Sequence, residues 1–453
     1  MINIRLIDDP SQHHVRIDAP TSVQPDCDCA SSAIQSEVPI LDFPTIYSLE
    51  LTPSCNSRCP GCSNVFFEDK ETRKMEIPRL PLPPEQWKII LDVISPHATR
   101  LKVTGGEPTL HPNFPAILAD IDRRNIAYTL FTNARWTSPK SIVSFLRQQQ
   151  NLVGLLISLH GDTASAHDTY MGIPGAFAQT VPNIRAATNA GLAIHVSCII
   201  TQQNATSLEN VIKLAQSLGA QGIVFNRYIG PPVPGITLSP LELARAVRQV
   251  DELRKLGAPV RFGTCIPLCF VDSSSSGCTA GSAYCTIDPW GNIRPCNHTP
   301  WITGNVLESL SGAWHSPAMQ RWRSLTPNEC KTCSQFSTCQ GGCRADAVLN
   351  GVKTDPLMRG ATSIIPLDAV TLPPTMNLYR NAIPYLTCEL REQQFGMLLV
   401  QRDKVFPVID GQNLWLNELN GGRSLHELEA EHGSQMLAFI GLLYQEGFLT
   451  LTV

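Results

Sequence analysis

Charge is scarce in this chain of 453 residues. Asp, Glu, Lys and Arg together make up 16% of it, and the formal net charge is −4. So weak a field offers no general attraction to nucleic acid or to an acidic membrane. Long apolar runs are missing too. None approaches the roughly 18 residues that a membrane-spanning helix needs. The opening stretch MINIRLIDDPSQHH lacks the apolar core of a secretion signal. These absences predict a cytoplasmic chain with no nucleic-acid partner and no membrane partner.

Two residue types are abundant instead. Prolines number 35, many in loop-like stretches, and cysteines number 16, most of them in three clusters. In a cytoplasmic chain, clustered cysteines read as metal ligands before they read as disulfides. Residues 1–44 form an N-terminal extension: a short strand-like piece, then a polar tract holding Cys27 and Cys29. A C-x-C pair without further partners is weak evidence of a metal role.

From Thr45 the pattern alternates. Strand-like runs (IYSLELT, RLKVTGG, AYTLFTN, GLLISLH, AIHVSCII, GIVFNRYI) are separated by helix-like segments such as PPEQWKIILDVI and SLENVIKLAQSLG. Short apolar runs interleaved with longer helices indicate parallel strands with crossover helices. About six such units fit between Thr45 and Phe262. That is too few for a closed eight-fold barrel, so residues 45–262 predict an α/β fold, an open partial (β/α)6 TIM-like barrel. Its chemistry belongs at the C-terminal strand ends.

The motifs fall there. LTPSCNSRCPGC, with Cys55, Cys59 and Cys62, follows the first strand, and Thr104-Gly105-Gly106-Glu107-Pro108 follows the second. Thr132 and Asn133 end the third strand; Ser158 and His160 end the fourth. Ser197 lies on the fifth, and Asn226 and Arg227 on the sixth. Each of these polar residues also reads as an ordinary strand-end side chain. Three thiolates hold three corners of a cubane iron–sulfur cluster and leave one iron open to a chelating ligand.

Residues 263–371 lose the alternation and gain Cys265, Cys269, Cys278, Cys285, Cys296, Cys330, Cys333, Cys339 and Cys343. A small core held by metal explains such composition better than a large apolar one. Taken alone, Cys330-x2-Cys333 and Cys339-x3-Cys343 suit tetrahedral zinc equally well. Cys285 and the mid-strand Cys198 read as buried thiols. Residues 372–453 regain order. GMLLVQRDKVFPVID reads as a hairpin, NLWLNELNG as a helix stopped by glycine, Ser424 and Glu427 as a capping box, and SQMLAFIGLLYQEG as a further helix before a final strand. This is a small winged-helix-like module.

The Cys55-x3-Cys59-x2-Cys62 triplet with Gly-Gly-Glu-Pro resembles the radical S-adenosylmethionine (SAM) superfamily. The resemblance implies a [4Fe–4S] cluster on those cysteines, with SAM chelating the open iron. One-electron cleavage of the sulfonium then yields a 5′-deoxyadenosyl radical. It implies SAM contacts at Gly105, Gly106, Glu107, Asn133, Ser158, Ser197 and Arg227, and an electron donor such as flavodoxin or ferredoxin. One departure stands out: the residue before the third cysteine is usually aromatic in the superfamily and flanks the adenine, and here it is Gly61. Val65 or Phe66 is then expected to supply that contact.

Cys278-x12-Gly291-x4-Cys296 followed by Cys330, Cys333, Cys339 and Cys343 resembles the SPASM domain of radical SAM peptide maturases. The resemblance implies one or two auxiliary clusters. Cys278, Cys296 and Cys343, with Cys269 or Cys265, hold the nearer one, and Cys330, Cys333 and Cys339 the other. The seventh cysteine of that domain is missing. Asp355, Met358, Cys388 or an open iron stands in its place. The C-terminal module resembles the peptide-chaperone fold that recognises leader peptides.

Phrases such as TGGEPTLHP, LLISLHG and DPWGNIRPCNH are similar to maturases of nitrogen-fixation-type leader peptides. The implied substrate is a ribosomally made precursor peptide, with a leader-binding or accessory protein as a further partner. The implied outcomes are tyramine-excising backbone splicing, or thioether or carbon–carbon crosslinking. A formylglycine-type maturase and a zinc-stabilised, non-catalytic peptide-binding scaffold are the alternatives. No catalytic acid or base is identified.

Overall fold

The computed structural model describes residues 3–7, 40–62, 65–66, 79–270, 277–358, 375–402, 404–409 and 412–452. Cys27 and Cys29 lie outside the described residues. Two compact units divide the chain. One is residues 36–367; the other joins residues 1–35 to residues 368–453. The first strand, β1 (Asn3–Ile7), therefore belongs to the smaller unit.

The larger unit is built on one ten-stranded sheet. Its parallel strands are β2 (Ile46–Glu50), β3 (Arg100–Thr104), β4 (Tyr128–Thr132), β5 (Leu152–Ser158), β6 (Ile194–Ile200), β7 (Gly222–Arg227) and β8 (Val260–Phe262). The first six are the six runs legible in the sequence. Crossover helices include α1 (Pro84–Ile94), α2 (Phe114–Arg123), α3 (Pro139–Leu146), α4 (Ala164–Met171), α5 (Ala176–Asn189), α6 (Leu208–Ser217) and α7 (Pro240–Lys255). Alternate strand residues turn outward. Tyr47, Leu49, Leu101, Val103, Leu130, Leu155, Ile157 and Val196 pack in one core with Trp87, Ile90, Leu118, Ile184 and Val211 from the helices. The intervening positions, among them Ser48, Glu50, Lys102, Ser158 and Ser197, turn to the concave side.

The sheet does not stop where the cysteine-rich region begins. β9 (Tyr284–Ile287) runs parallel to β2, with Ile46 opposite Tyr284 and Leu49 opposite Ile287. β10 (Asn292–Arg294) and β11 (Gly304–Asn305) continue antiparallel. The full order is β11-β10-β9-β2-β3-β4-β5-β6-β7-β8, an open sheet with β11 and β8 at its edges. β9 sews the cysteine-rich segment directly onto the strand that carries the Cys55 loop.

In the smaller unit β1 pairs in parallel with β12 (Thr375–Tyr379). β13 (Ile383–Leu386) pairs with β17 (Leu449–Thr452), and β14 (Glu389–Gln393), β15 (Gly396–Gln401) and β16 (Lys404–Ile409) form an antiparallel sheet. Helices cover residues 413–416, 425–432 and 434–446. The capping box is complete: the Ser424 N–H donates to Glu427 at 2.8 Å and the Glu427 N–H returns a bond to Ser424. Leu399, Val408, Leu425, Leu428, Met436, Leu437, Ile440 and Phe448 fill its separate core. The hairpin, the helices and the closing strand are as the sequence pattern predicts. The N-terminal strand is not a separate extension, because its hydrogen-bonding partner lies near the other end of the chain.

Candidate functional site

The cysteine loop leaves β2 and lies against the Gly-Gly-Glu loop that leaves β3. The Gly106 N–H donates to Thr52 O at 2.6 Å and the Glu107 N–H to Ser54 O at 2.8 Å. A Cβ on Gly106 would collide with the Ser54 backbone, and one on Gly105 (φ 150°) would sit 2.7 Å from Thr52 O. The missing side chains thus let one loop ride on the other. Glu107, expected at the cofactor's amino group, is buried and fully engaged. Its carboxylate accepts from Thr109 N–H and Oγ1, from Thr132 Oγ1 at 2.8 Å and from the Asn133 N–H at 2.8 Å. Burial pushes its pKa up, and those four donors pull it back. Glu107 ties the end of β4 to the motif loop.

Asn133 and Arg135 then grip the cysteine loop itself. Asn133 Nδ2 donates to Asn56 Oδ1 at 2.7 Å and approaches Ser57 Oγ at 3.3 Å and Cys55 Sγ at 3.8 Å. Arg135 donates to Asn56 O and to Ser57 Oγ, while Asn56 Nδ2 donates to Arg135 O. The Ser57 N–H points at Cys55 Sγ at 3.4 Å. A turn closed by Cys62 N–H on Cys59 O brings the last two cysteines together, and Arg58 N–H on Met171 O anchors the loop to α4. No described cysteine is in a disulfide, and Cys55, Cys59 and Cys62 are all partly exposed. Three thiols on one braced loop, with an N–H aimed at sulfur, are a donor set that fits a cubane cluster.

Gly61 has a local reason. A Cβ there would lie 2.7 Å from Tyr170 Oη and 2.9 Å from Tyr228 Cε2. Tyr170 also donates to Gly61 O at 3.2 Å. Two tyrosines from α4 and from the end of β7 thus crowd the position where an aromatic side chain was expected. Phe66 is engaged elsewhere, edge-on to Trp290 and beneath Arg294. Neither tyrosine stands out in the sequence, since each is distant from the motif along the chain.

The remaining expected contacts divide. Ser158 and Ser197 sit in register on β5 and β6, and Asn226 Nδ2 donates to Ser197 Oγ at 3.1 Å. These three face the concave side together. His160 does not line the mouth. It is buried, accepts from the Ile199 N–H at Nδ1, and lies tilted against the Tyr170 ring, centroids 4.2 Å apart. Arg227, expected at the SAM carboxylate, is 2% exposed and points into the cysteine-rich segment. It forms a bidentate pair with Asp355 (3.0 and 2.8 Å) and a second contact with Asp346 at 3.3 Å. Asp355 also accepts from the Cys343 and Leu357 N–H groups. These contacts engage Asp355, one candidate for the missing ligand, and make Arg227 a buried positive charge beside Cys343 and Cys265.

The later cysteines form two groups. Cys278 acts on Cys343, and both are neighbours to Cys265 and to Cys296. Burial holds Cys265, Cys296 and Cys343 above the usual thiol range, Cys343 at about 12, with Arg227 drawing it down. The His298 N–H points at Cys296 Sγ at 3.4 Å, repeating the Cys55 arrangement. Cys330 and Cys333 share a turn closed by Cys333 N–H on Cys330 O, repeating the Cys59–Cys62 turn. A zinc ribbon would unite Cys343 with Cys330, Cys333 and Cys339. Instead Gln340, Gly341 and Gly342 all take positive φ (57°, 82°, 77°) and swing the chain from one group to the other between Cys339 and Cys343. Cys285 and Cys198 are buried in the main core, and Cys388 is partly buried against the core of the smaller unit.

The concave side carries charges that the sequence reading did not single out. Glu50 and Arg294 form a buried ion pair, and burial lifts Glu50 to about 7 against the pull of Arg294. Lys102 Nζ lies 4.8 Å from the Tyr284 ring centroid, its pKa lowered by burial and by Arg100. Strand alternation signals Glu50 in IYSLE and Lys102 in RLKVT, whereas Arg294 lies outside both runs.

Family comparison matches residues 49–215 to the radical SAM superfamily and residues 278–340 to the SPASM iron–sulfur cluster-binding domain. The AdoMet-dependent heme synthase of Methanosarcina barkeri is 25% identical over 68% of this chain and 94% of that protein. The mycofactocin maturase MftC of Mycobacterium ulcerans is 27% identical over 70% of this chain and 87% of that protein. The subtilosin biosynthesis protein AlbA of Bacillus subtilis is 24% identical over 66% and 67%. Among solved structures, Streptococcus suis SuiB bound to its precursor peptide SuiA superposes with a TM-score of 0.58 at 18% identity, over 71% of this chain and 77% of that one. At that identity the likeness is one of fold.

Proposed function

We propose that this chain, a radical SAM enzyme with a SPASM auxiliary-cluster domain, modifies a ribosomally made precursor peptide. The braced three-thiol loop at the C-terminal ends of parallel strands carries the reading. Cys55, Cys59 and Cys62 would hold the [4Fe–4S] cluster. SAM, when bound there, supplies a 5′-deoxyadenosyl radical that takes a hydrogen atom from carbon. The chain's own residues hold and shield. Asn133 and Arg135 fix the loop, Ser158, Ser197 and Asn226 line the concave wall, and Glu107 locks two strand ends together.

A peptide substrate draws support from MftC, AlbA and SuiB among the relatives. It also draws support from the smaller unit, whose three-stranded sheet ends on β14. That edge strand is mostly exposed and suits pairing with an extended leader. Excision of tyramine from a Tyr-Gly site is the outcome we propose first; loss of a tyramine mass from a co-expressed precursor supports it, and loss of two hydrogens points to crosslinking. The likeness to heme synthases favours a tetrapyrrole instead, and only that reading expects the β14 edge to bind no peptide.

The test is reductive SAM cleavage by anaerobic, cluster-loaded protein. Substituting Cys55, Cys59 and Cys62 together by alanine abolishes 5′-deoxyadenosine release, whereas Cys330→Ala spares part of it. Undiminished nucleoside from the triple variant overturns the assignment.

A further inference from the structure

We infer that Cys269 is the fourth ligand of the second auxiliary cluster, in place of the missing seventh cysteine of the SPASM pattern, while Cys265 completes the first. This rests on the reading of the segment as a two-cluster domain.

The neighbours sort the two cysteines. The sulfurs acting on Cys330 are Cys339, Cys269 and Cys333. Those acting on Cys269 are Cys339 and Cys333, with no member of the Cys278, Cys296 and Cys343 group among its leading neighbours. Cys265 is placed the other way. Cys278 and Cys343 lead its neighbours, and its ties to the second group are to Cys339 alone, whose thiol ranks behind them and whose carbonyl lies 4.0 Å away.

The chain path explains the split. Cys265 and Cys269 are a C-x3-C pair, and so are Cys339 and Cys343. Each pair sends one sulfur to each group. Three successive positive-φ residues redirect the chain between Cys339 and Cys343. A turn closed by Phe270 N–H on Pro267 O follows Cys265 and carries Cys269 away. The outcome is two sets of four thiols, Cys265, Cys278, Cys296 and Cys343 beside Cys269, Cys330, Cys333 and Cys339. A cubane takes one thiolate per iron, so each set is a full complement. As each sulfur bonds iron, its thiol proton passes to solvent.

The rivals are otherwise engaged. Asp355 is spent on Arg227 and the Cys343 N–H. Met358 Sδ lies against Gly342, next to Cys343 of the first set. Cys388 is partly buried, packed against the core of the smaller unit.

Iron counting in paired variants tests the assignment, because two ligands of one cluster are not additive. Three clusters give about 12 iron per wild-type chain, and Cys330→Ala lowers this to about 8. Adding Cys269→Ala to Cys330→Ala leaves about 8, whereas adding Cys265→Ala lowers it to about 4. Circular dichroism and the electron paramagnetic resonance signal of the SAM-binding cluster check that each variant folds. Cys269→Ser, which retains an oxygen ligand, gives an altered second-cluster signal at nearly full iron. Cys388→Ala and Met358→Ala retain the wild-type spectrum. The inference fails if Cys269→Ala lowers iron further in the Cys330→Ala background, or if Cys269→Ser leaves every signal unchanged. Wild-type protein with about 4 iron and bound zinc overturns the two-cluster reading itself, a result distinct from either.

Discussion

Arg227 shows how far a residue's role can sit from its place in a motif. Its position at the end of a barrel strand suggests a hand for the cofactor's carboxylate. Its guanidinium is instead locked between Asp355 and Asp346, both nearly excluded from water. A buried pair of this kind is a weak source of net stability, but removing one partner strands the other charge, at about 3–5 kcal/mol. Arg227→Ala strands two carboxylates and loosens Asp355, which holds the Cys343 N–H. Expected are a loss of roughly that much unfolding free energy and loss of the first auxiliary cluster, about 4 iron, with SAM binding largely kept. Equal loss of SAM affinity and unchanged iron would restore the carboxylate role. Gly61 teaches the same lesson in reverse. Its lack of a side chain makes sense only beside Tyr170 and Tyr228, residues that no local pattern connects to it.

At the scale of elements, the turn from β5 into α4 carries a pair of buried histidines. The His160 N–H donates to His167 Nδ1, the Ile199 N–H donates to His160 Nδ1, and Asn204 caps His160 O at 2.8 Å. The pair thereby pins β5, β6 and α4 behind the cysteine loop. Burial holds both below the ordinary value of 6.5; His167 falls to about 4, with Asp168 raising and Arg135 lowering it, and His160 is lowered further by His167. A depressed base is more readily protonated in the unfolded chain. Its contribution is therefore complete above pH 6.5 and is lost as pH falls toward 4. Stability should decline across that window by up to about 1.4 kcal/mol per pH unit for each proton. In His167→Gln, urea unfolding as a function of pH should show the slope reduced by about one proton's worth. An unchanged slope would mean that His167 does not titrate there. This part of the site was hard to read from sequence, since α4 (ASAHDTYM) has no apolar stripe to announce it.

For the whole molecule, two units share one chain. The smaller one closes only when β1 reaches β12, so its core depends on both chain ends. If β14 receives a leader strand, Leu390→Asp should weaken it. Leu390 is 42% exposed and presents apolar surface at that edge. We expect labelled precursor to bind about tenfold less tightly, roughly 1.4 kcal/mol, with SAM cleavage in the absence of peptide unchanged. Unaltered precursor affinity would remove β14 from recognition. Among the described residues no helix is long and apolar enough to cross a membrane.

Local periodicity and motif spacing, written in contiguous residues, determined much of this protein: six alternating strands, the three-thiol loop, the cysteine-rich segment, the capping box at Ser424. These features depend on neighbours a few residues away, so the chain order alone displays them. Tertiary structure decided the rest: that β9 extends the barrel sheet, that β1 belongs with the C-terminal module, and that Arg227 faces the later cysteines. Each of those depends on groups brought together from distant parts of the chain. A C-x3-C spacing constrains the distance between two sulfurs, whereas the direction each one faces is set by the backbone turns between them and by what packs on either side.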